Sequence, residues 1–209
     1  MNKLEKYILD HTETEDEILK LIDRETNHKI LNPRMLSGHL QGKVLEMISK
    51  MIRPDYILEI GTFTGYSAIC LAKGLHEGGV LHTIEINDEL EAFTKSFFKK
   101  SGLEDKIKFH AGNAEHIIPT LNITFDLVFI DGDKREYPEY YRMVFDKVRN
   151  GGFILADNVL WNGKVVEPLK QNDDYTKAII EFNQMVQNDQ RVENVILPIR
   201  DGIMLMRKK

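Results

Sequence analysis

Two apolar runs, Phe125-Asp-Leu-Val-Phe-Ile-Asp-Gly-Asp-Lys134 and Gly152-Phe-Ile-Leu-Ala-Asp-Asn158, each end in hard oxygen donors. Such near-continuous runs predict central strands of a sheet covered on both faces. In an open parallel sheet, ligands bind beyond the carboxyl ends of the strands. Asp131, Asp157 and Asn158 are therefore expected in one crevice. Two carboxylates and an amide oxygen suit magnesium, calcium or manganese better than zinc, which prefers nitrogen and sulfur. Lys134, three positions after Asp131, is the candidate general base beside that cation.

From Tyr56 onward, short apolar runs alternate with helical segments, the signature of βα units and a mainly parallel sheet. Strands are expected near 56–60, 80–86, 107–111, 125–131 and 152–156, and helices near 65–76, 88–101, 114–120 and 137–149. Beyond Trp161 come a helix near 173–188 and strands at 191–198 and 203–207, with Arg200-Asp-Gly202 turning them into an antiparallel hairpin. Residues 12–52 read as helical. Thr14 and Glu17 form a capping box ahead of Ile18, Leu21 and Ile22, and Asn32-Pro33 breaks the helix. A second helix from Ser37 to Ile52 carries Leu40, Val44, Leu45 and Ile48 on its apolar face. With no repeat or linker, the chain reads as a single domain over 1–209, a helical cap over 1–52 and a sheet core over 53–209.

A chain of 209 residues buries roughly 70% of its unfolded surface and needs no external staple. The single cysteine, Cys70, lies in an apolar helical stretch and reads as a small buried hydrophobe, which suggests a reducing compartment. No run approaches the ~18 apolar residues of a membrane span. A net charge of −5 with interspersed signs argues against a broad phosphate-binding face. Lys43, Lys50 and Arg53, or Lys164, are the candidate local basic surfaces, and Arg207-Lys-Lys209 reads as a solvated tail. The seven histidines have no metal-ligand spacing and read as structural or solvated.

Tyr56-Ile-Leu-Glu-Ile-Gly-Thr-Phe-Thr-Gly-Tyr-Ser67 predicts a strand, a glycine turn and a helix start, with Gly61 allowing close backbone approach to a ligand. No G-x-G-x-x-G occurs, so a pyrophosphate cradle is not expected. Glu59 at the strand end suits a cationic sulfonium cofactor instead. Glu85 closes the second apolar run, where a carboxylate accepts hydrogen bonds from ribose hydroxyls. Gly112 and Asn113, after the third run, offer backbone and amide groups to an adenine edge.

Taken together, Leu58-Glu-Ile-Gly-Thr-Phe-Thr-Gly-Tyr-Ser67, Thr83-Ile-Glu-Ile86, Phe129-Ile-Asp-Gly-Asp-Lys134 and Ala156-Asp-Asn-Val-Leu-Trp-Asn-Gly163 resemble the cation-dependent S-adenosylmethionine O-methyltransferases. This group includes the catechol and caffeoyl-CoA enzymes and bacterial relatives. The likeness runs from about residue 30 to 209, and Leu197-Pro-Ile-Arg-Asp-Gly-Ile203 is similar to the closing strands of the caffeoyl-CoA branch. It implies an α/β, Rossmann-like class I methyltransferase fold: a mainly parallel seven-stranded sheet with a closing antiparallel strand, helices on both faces and extra N-terminal helices. It also implies that Glu59, Gly61, Tyr66 and Ser67 line the methionine end of the cofactor, Glu85 the ribose, and Gly112, Asn113 and Ala114 the adenine. Asp131 would serve cofactor and cation together, Met35-Leu-Ser-Gly38 would close over the site, and Met35 and Trp161 are candidates for a substrate wall.

The reaction so implied is magnesium-dependent methyl transfer from S-adenosylmethionine to a hydroxyl of a small catechol-like aromatic diol, by a cytoplasmic homodimer. Manganese or calcium could replace magnesium. Within the same chemistry the alternative acceptor is a hydroxylated uridine of tRNA, which the acidic net charge disfavours. From other classes, the alternatives are a cofactor-binding protein without turnover and an NAD-dependent enzyme. The natural acceptor and the choice of meta or para oxygen are not legible in the sequence.

Overall fold

The computed structural model describes residues 3–209. Helices α1 (Lys3–Asp10), α2 (Glu17–Lys29) and α3 (Gly38–Ile52) precede an alternating series. That series runs β1 (Tyr56–Ile60), α4 (Tyr66–Ala72), β2 (Val80–Glu85), α5 (Glu91–Lys100), β3 (Ile107–Ala111), α6 (Ala114–Ile117), β4 (Phe125–Ile130), α7 (Tyr137–Phe145) and β5 (Val148–Ala156). Helix α8 (Asp174–Asn188) and strands β6 (Val192–Leu197) and β7 (Ile203–Lys208) complete the order. The seven strands lie in the order β3-β2-β1-β4-β5-β7-β6. The first five pair in parallel, and β7 runs antiparallel to both β5 and β6.

Period-two alternation divides the core into two layers. Leu58, Ile60, Val128, Ile130, Ile154, Met204 and Met206 point to the face covered by α6, α7 and α8, where Tyr141, Ile179 and Phe182 meet them. Ile57, Leu81, Leu127, Phe129, Leu155 and Ile203 point to the other face, beneath α2, α3, α4 and α5. The strand order reverses at β1, with β2 on one side and β4 on the other, which opens the ligand crevice beyond these strand ends. Asp126 stands at the opposite end. It opens β4, accepts from the amides of Asp55 and Tyr56 at 2.8 and 2.9 Å, and pairs with Arg149 at 2.6 Å.

Several local expectations are corrected. The N-cap of α2 is Asp16, without a side-chain capping bond, so Thr14 and Glu17 do not form a capping box. Asp16 pairs with Lys73 across to α4, and this tertiary ion pair takes the carboxylate away from the helix end. The buried face of α3 is rotated toward Gln41, Gly42, Leu45, Ile48 and Ser49, leaving Leu40 and Val44 only half-buried. Helix α7 stops at Phe145, and β5 starts at Val148, four residues before Gly152. Arg207 and Lys208 are no solvated tail: Arg207 pairs with Phe153 in the sheet, and Lys208 Nζ donates to the carbonyls of Phe145 and Val148.

A Cβ on Gly42 would lie 2.5 Å from the Tyr66 ring and 2.9 Å from Cys70 Sγ, both buried. Gly→Ala in a helix ordinarily gains about 0.5–1 kcal/mol. Overpacking a core costs about 1–3 kcal/mol, so here the clash wins. Gly42→Ala is expected to lower the urea midpoint; an unchanged or higher midpoint would contradict this packing of α3 on α4.

Candidate active site

Backbone hydrogen bonds continue past the parallel strand ends. Gly61 N–H donates to Ile84 O at 2.9 Å, Asp131 N–H to Ile60 O at 2.8 Å, Asp157 N–H to Ile130 O at 3.0 Å and Gly112 N–H to Glu85 O at 2.8 Å. Each site residue is thus fixed by its main chain before its side chain acts. Ile130 pairs with Ala156 in register, which places Asp131 and Asp157 one step further on neighbouring strands, ~4.8 Å apart in the pairing direction. The buried Tyr137 hydroxyl bridges both ends, bonding Ile130 O at 3.1 Å and Asp157 O at 3.0 Å.

Burial pushes the Asp131 carboxyl up to about 7; Lys134 pulls it down, and the neighbouring Asp157 pushes it up further. Lys134 Nζ donates to Asp131 Oδ1 at 2.6 Å and to Gly132 O at 3.2 Å, and lies 5.1 Å from the Tyr137 ring centroid. Asp157 is 4% exposed, and its Oδ1 is buried without a partner in the chain. Asn158 follows in the left-handed conformation, φ 59. Among the described residues no group of three His, Cys, Asp or Glu side chains could hold a metal ion. The donors here are two carboxylates and an amide, an all-oxygen set whose orphaned Oδ1 fits a hard divalent cation completed by water or substrate oxygens.

The turn after β1 forms the other half. Gly61 has φ +100, and a Cβ there would lie 2.5 Å from Asp131 O, so only glycine lets these two strand ends approach. Glu59 is wholly buried; Thr62 and Thr83 hydroxyls stand 2.5 Å apart, and Thr83 donates to Glu59 Oε2 at 2.6 Å. Its Oε1 makes no well-formed hydrogen bond, and the Ser67 hydroxyl is near enough to the carboxyl to favour its charged form. Burial pushes the Glu59 carboxyl up to about 8. Glu85 Oε2 accepts from Phe63 N–H at 2.6 Å and Oε1 from Asn87 N–H at 3.0 Å, which orients the carboxylate and leaves lone pairs outward. Gly61, Tyr66, Ser67 and Asp131 line a shallow recess together with Met35 and Ser37. The Tyr66 hydroxyl itself is turned outward to Glu15.

Asn113 caps α6 by accepting from Glu115 N–H at 2.7 Å, with Gly112 at φ +136 before it and Ala114 buried behind it. Met35 is 60% exposed, and so lies at the mouth rather than in the core. Trp161 stacks on Tyr175 at 5.8 Å, and the Arg135 guanidinium covers the other ring at 5.0 Å. Of the basic candidates, Lys43 pairs with Glu13 and Glu46, Lys50 with Glu46, and Lys164 with Asp173. These three lysines are held in ion pairs within the chain, which leaves Arg53 of the four candidates and weakens the case for a nucleic-acid face. Sequence reasoning missed Tyr137, the Thr62–Thr83 relay, and Gln41, whose amide donates to Asp157 Oδ2 at 2.8 Å. Gln41 stands i−4 and i−7 from Leu45 and Ile48, so its helical spacing was the available signal.

An acid-lined crevice at the switch point of a seven-stranded sheet suits a positively charged ligand. The O-methyltransferase family model matches residues 9–209, and the chain belongs to that family. It is 35% identical to caffeoyl-CoA O-methyltransferase 2 of Populus trichocarpa over 179 residues, 80% of this chain and 72% of the relative. The O-methyltransferase TomG of Streptomyces achromogenes, solved with S-adenosylmethionine, superposes with TM-score 0.91 at 28% identity, over 100% of this chain and 96% of that one. The O-methyltransferase from Bacillus cereus, solved with S-adenosylhomocysteine, gives TM-score 0.91 at 27% identity, over 99% and 97%. The protein is an S-adenosylmethionine-dependent O-methyltransferase of the caffeoyl-CoA type.

The raised Glu59 carboxyl has a thermodynamic consequence. Folded Glu59 keeps a proton that the unfolded chain releases near its ordinary 4.5, so the stability it contributes is full below that pH and is lost as pH rises through about 8. Asp131, raised to about 7, adds to the same decline. Glu59→Gln retains an acceptor for Thr83 and is expected to flatten the fall in unfolding free energy between about pH 5 and 9. An unaltered slope in urea titrations would contradict the assignment.

Proposed function

We propose that this O-methyltransferase is magnesium-dependent and methylates one hydroxyl of a small catechol-like aromatic diol. The buried, partnerless Asp157 Oδ1 beside Asp131 carries this reading, because an unpaired carboxylate oxygen so placed calls for a cation. Asp131, Asp157 and Asn158 would hold magnesium, with manganese or calcium able to take its place. A divalent cation bound there would supply Lewis acidity to a neighbouring hydroxyl, and Lys134 would then be freed in part from Asp131.

Lys134, once it has given up its ammonium proton to solvent, takes the acceptor proton on Nζ. A sulfonium beside Glu59 would favour release of the proton that burial keeps on that carboxyl, Gly61, Ser67 and the main chain of Tyr66 shape the methionine end, and Glu85 receives the ribose hydroxyls. Gly112, Asn113 and Ala114 meet the adenine. Met35 and the Trp161–Tyr175 stack wall the aromatic acceptor and exclude water. Holding oxygen and methyl in line recovers about 7–11 kcal/mol of barrier. Residues 1–52 act as the helical cap of one domain whose core is 53–209, and the protein is expected to act in the cytoplasm as a homodimer. The plant relatives named caffeoyl-CoA O-methyltransferases favour a catechol acceptor. The neutralised lysines disfavour tRNA.

Asp157→Ala is expected to abolish magnesium-stimulated transfer to catechols while retaining S-adenosylmethionine binding by calorimetry. Full turnover of the variant under chelator would refute the cation's role. Lys134→Met should bind both ligands and lower the single-turnover rate about 10²- to 10⁴-fold; an unchanged rate and pH profile would remove Lys134 as base. Bulk tRNA labelled in preference to every small diol would reverse the acceptor assignment.

A further inference from the structure

The groups that steer Asp157 lie outside the residues so far given a role. Gln41 is wholly buried on α3, where its neighbours at helical spacing, Leu45 and Ile48, are apolar. A buried amide left unsatisfied is destabilising, so its presence there needs a partner on each side. Nε2 donates to Asp157 Oδ2 at 2.8 Å, and Oε1 accepts from Arg200 at 3.2 Å. The same guanidinium nitrogen donates to Leu36 O at 3.0 Å and to Ser37 O. Arg200 reaches them from the β6–β7 turn in the left-handed conformation, φ 51, which L residues seldom adopt.

We propose that Gln41, braced by Arg200, is a positioning residue that fixes the Asp157 carboxylate so that Oδ1 faces the divalent cation. The inference rests on the cation reading of Asp131, Asp157 and Asn158 given above. A carboxylate turns readily about its last bond, whose torsion is broad and two-fold. One neutral donor on Oδ2 stops that rotation and leaves Oδ1 free. A lysine in the same place would orient the carboxylate equally well but compete with the cation by charge; an amide does not. Partners of this kind behind a metal ligand are commonly worth about 10–100-fold in affinity.

The test is the Mn2+ dissociation constant of the full chain without cofactor, read by loss of the free-ion paramagnetic resonance signal, with thermal unfolding followed on the same samples. Gln41→Leu keeps the side-chain volume and removes the amide. It is expected to weaken Mn2+ about 10–100-fold, with Asp157→Ala showing no specific binding. Should the leucine variant fail to fold, Gln41→Met, flexible and without a donor, carries the measurement. A purely structural role would shift unfolding and leave the affinity of the folded fraction alone. Equal Mn2+ affinity in wild type and either Gln41 variant overturns the positioning role while the cation pocket stands. If wild type binds no more Mn2+ than Asp157→Ala, both readings fall.

Discussion

The site depends on one feature of the sheet: parallel pairing persists one residue beyond the strands proper. The amides of Gly61, Asp131, Gly112 and Asp157 each donate across to a neighbouring strand end. These bonds bring the turns after β1, β4 and β5 out of the sheet at one level, with the turn after β3 one residue further on. Gly61 is the tightest of them, since no other residue tolerates φ +100 with a carbonyl 2.5 Å from its Cβ position. Everything chemical is suspended from that line.

The line carries acids where a packed interior would exclude them. Glu59, Glu85, Asp131 and Asp157 are clustered at the crevice, and burial raises Glu59 and Asp131 well above their ordinary range. Two of the four have an oxygen without a well-formed hydrogen bond, Glu59 Oε1 and Asp157 Oδ1. A fold retains such costly groups when a positive ligand repays the desolvation. A sulfonium at the Glu59 end and a divalent cation at the Asp157 end meet that need separately, and the Gly61–Asp131 contact sets the distance between them.

Much of this was legible in the sequence because central strands announce themselves. The runs ending at Asp131 and Asp157 are apolar on both faces, so their ends, and hence the pocket, could be placed from pattern alone. The five parallel strands and the closing hairpin were legible as short apolar or alternating runs between turn signals, although β5 starts at Val148, where Arg149 and Asn150 break the apolar pattern. What was hidden is tertiary. Thr14 and Glu17 match a capping box by type, yet Asp16 is the N-cap and spends its carboxylate on Lys73, 57 positions away. Lys43 and Lys50 suggest a basic surface until Glu13 and the buried Glu46 are seen to pair with them. Gln41 meets Asp157 across 116 residues, a separation that no local pattern encodes.

The central claim is that oxygens from two adjacent strand ends share one ion next to the methyl donor. Anomalous diffraction from crystals grown with Mn2+ and S-adenosylmethionine tests it directly. The account predicts one strong peak bounded by Asp131, Asp157 and Asn158, with the sulfonium lying toward Gly61. A peak elsewhere, or none at that position with the cofactor bound, would contradict it.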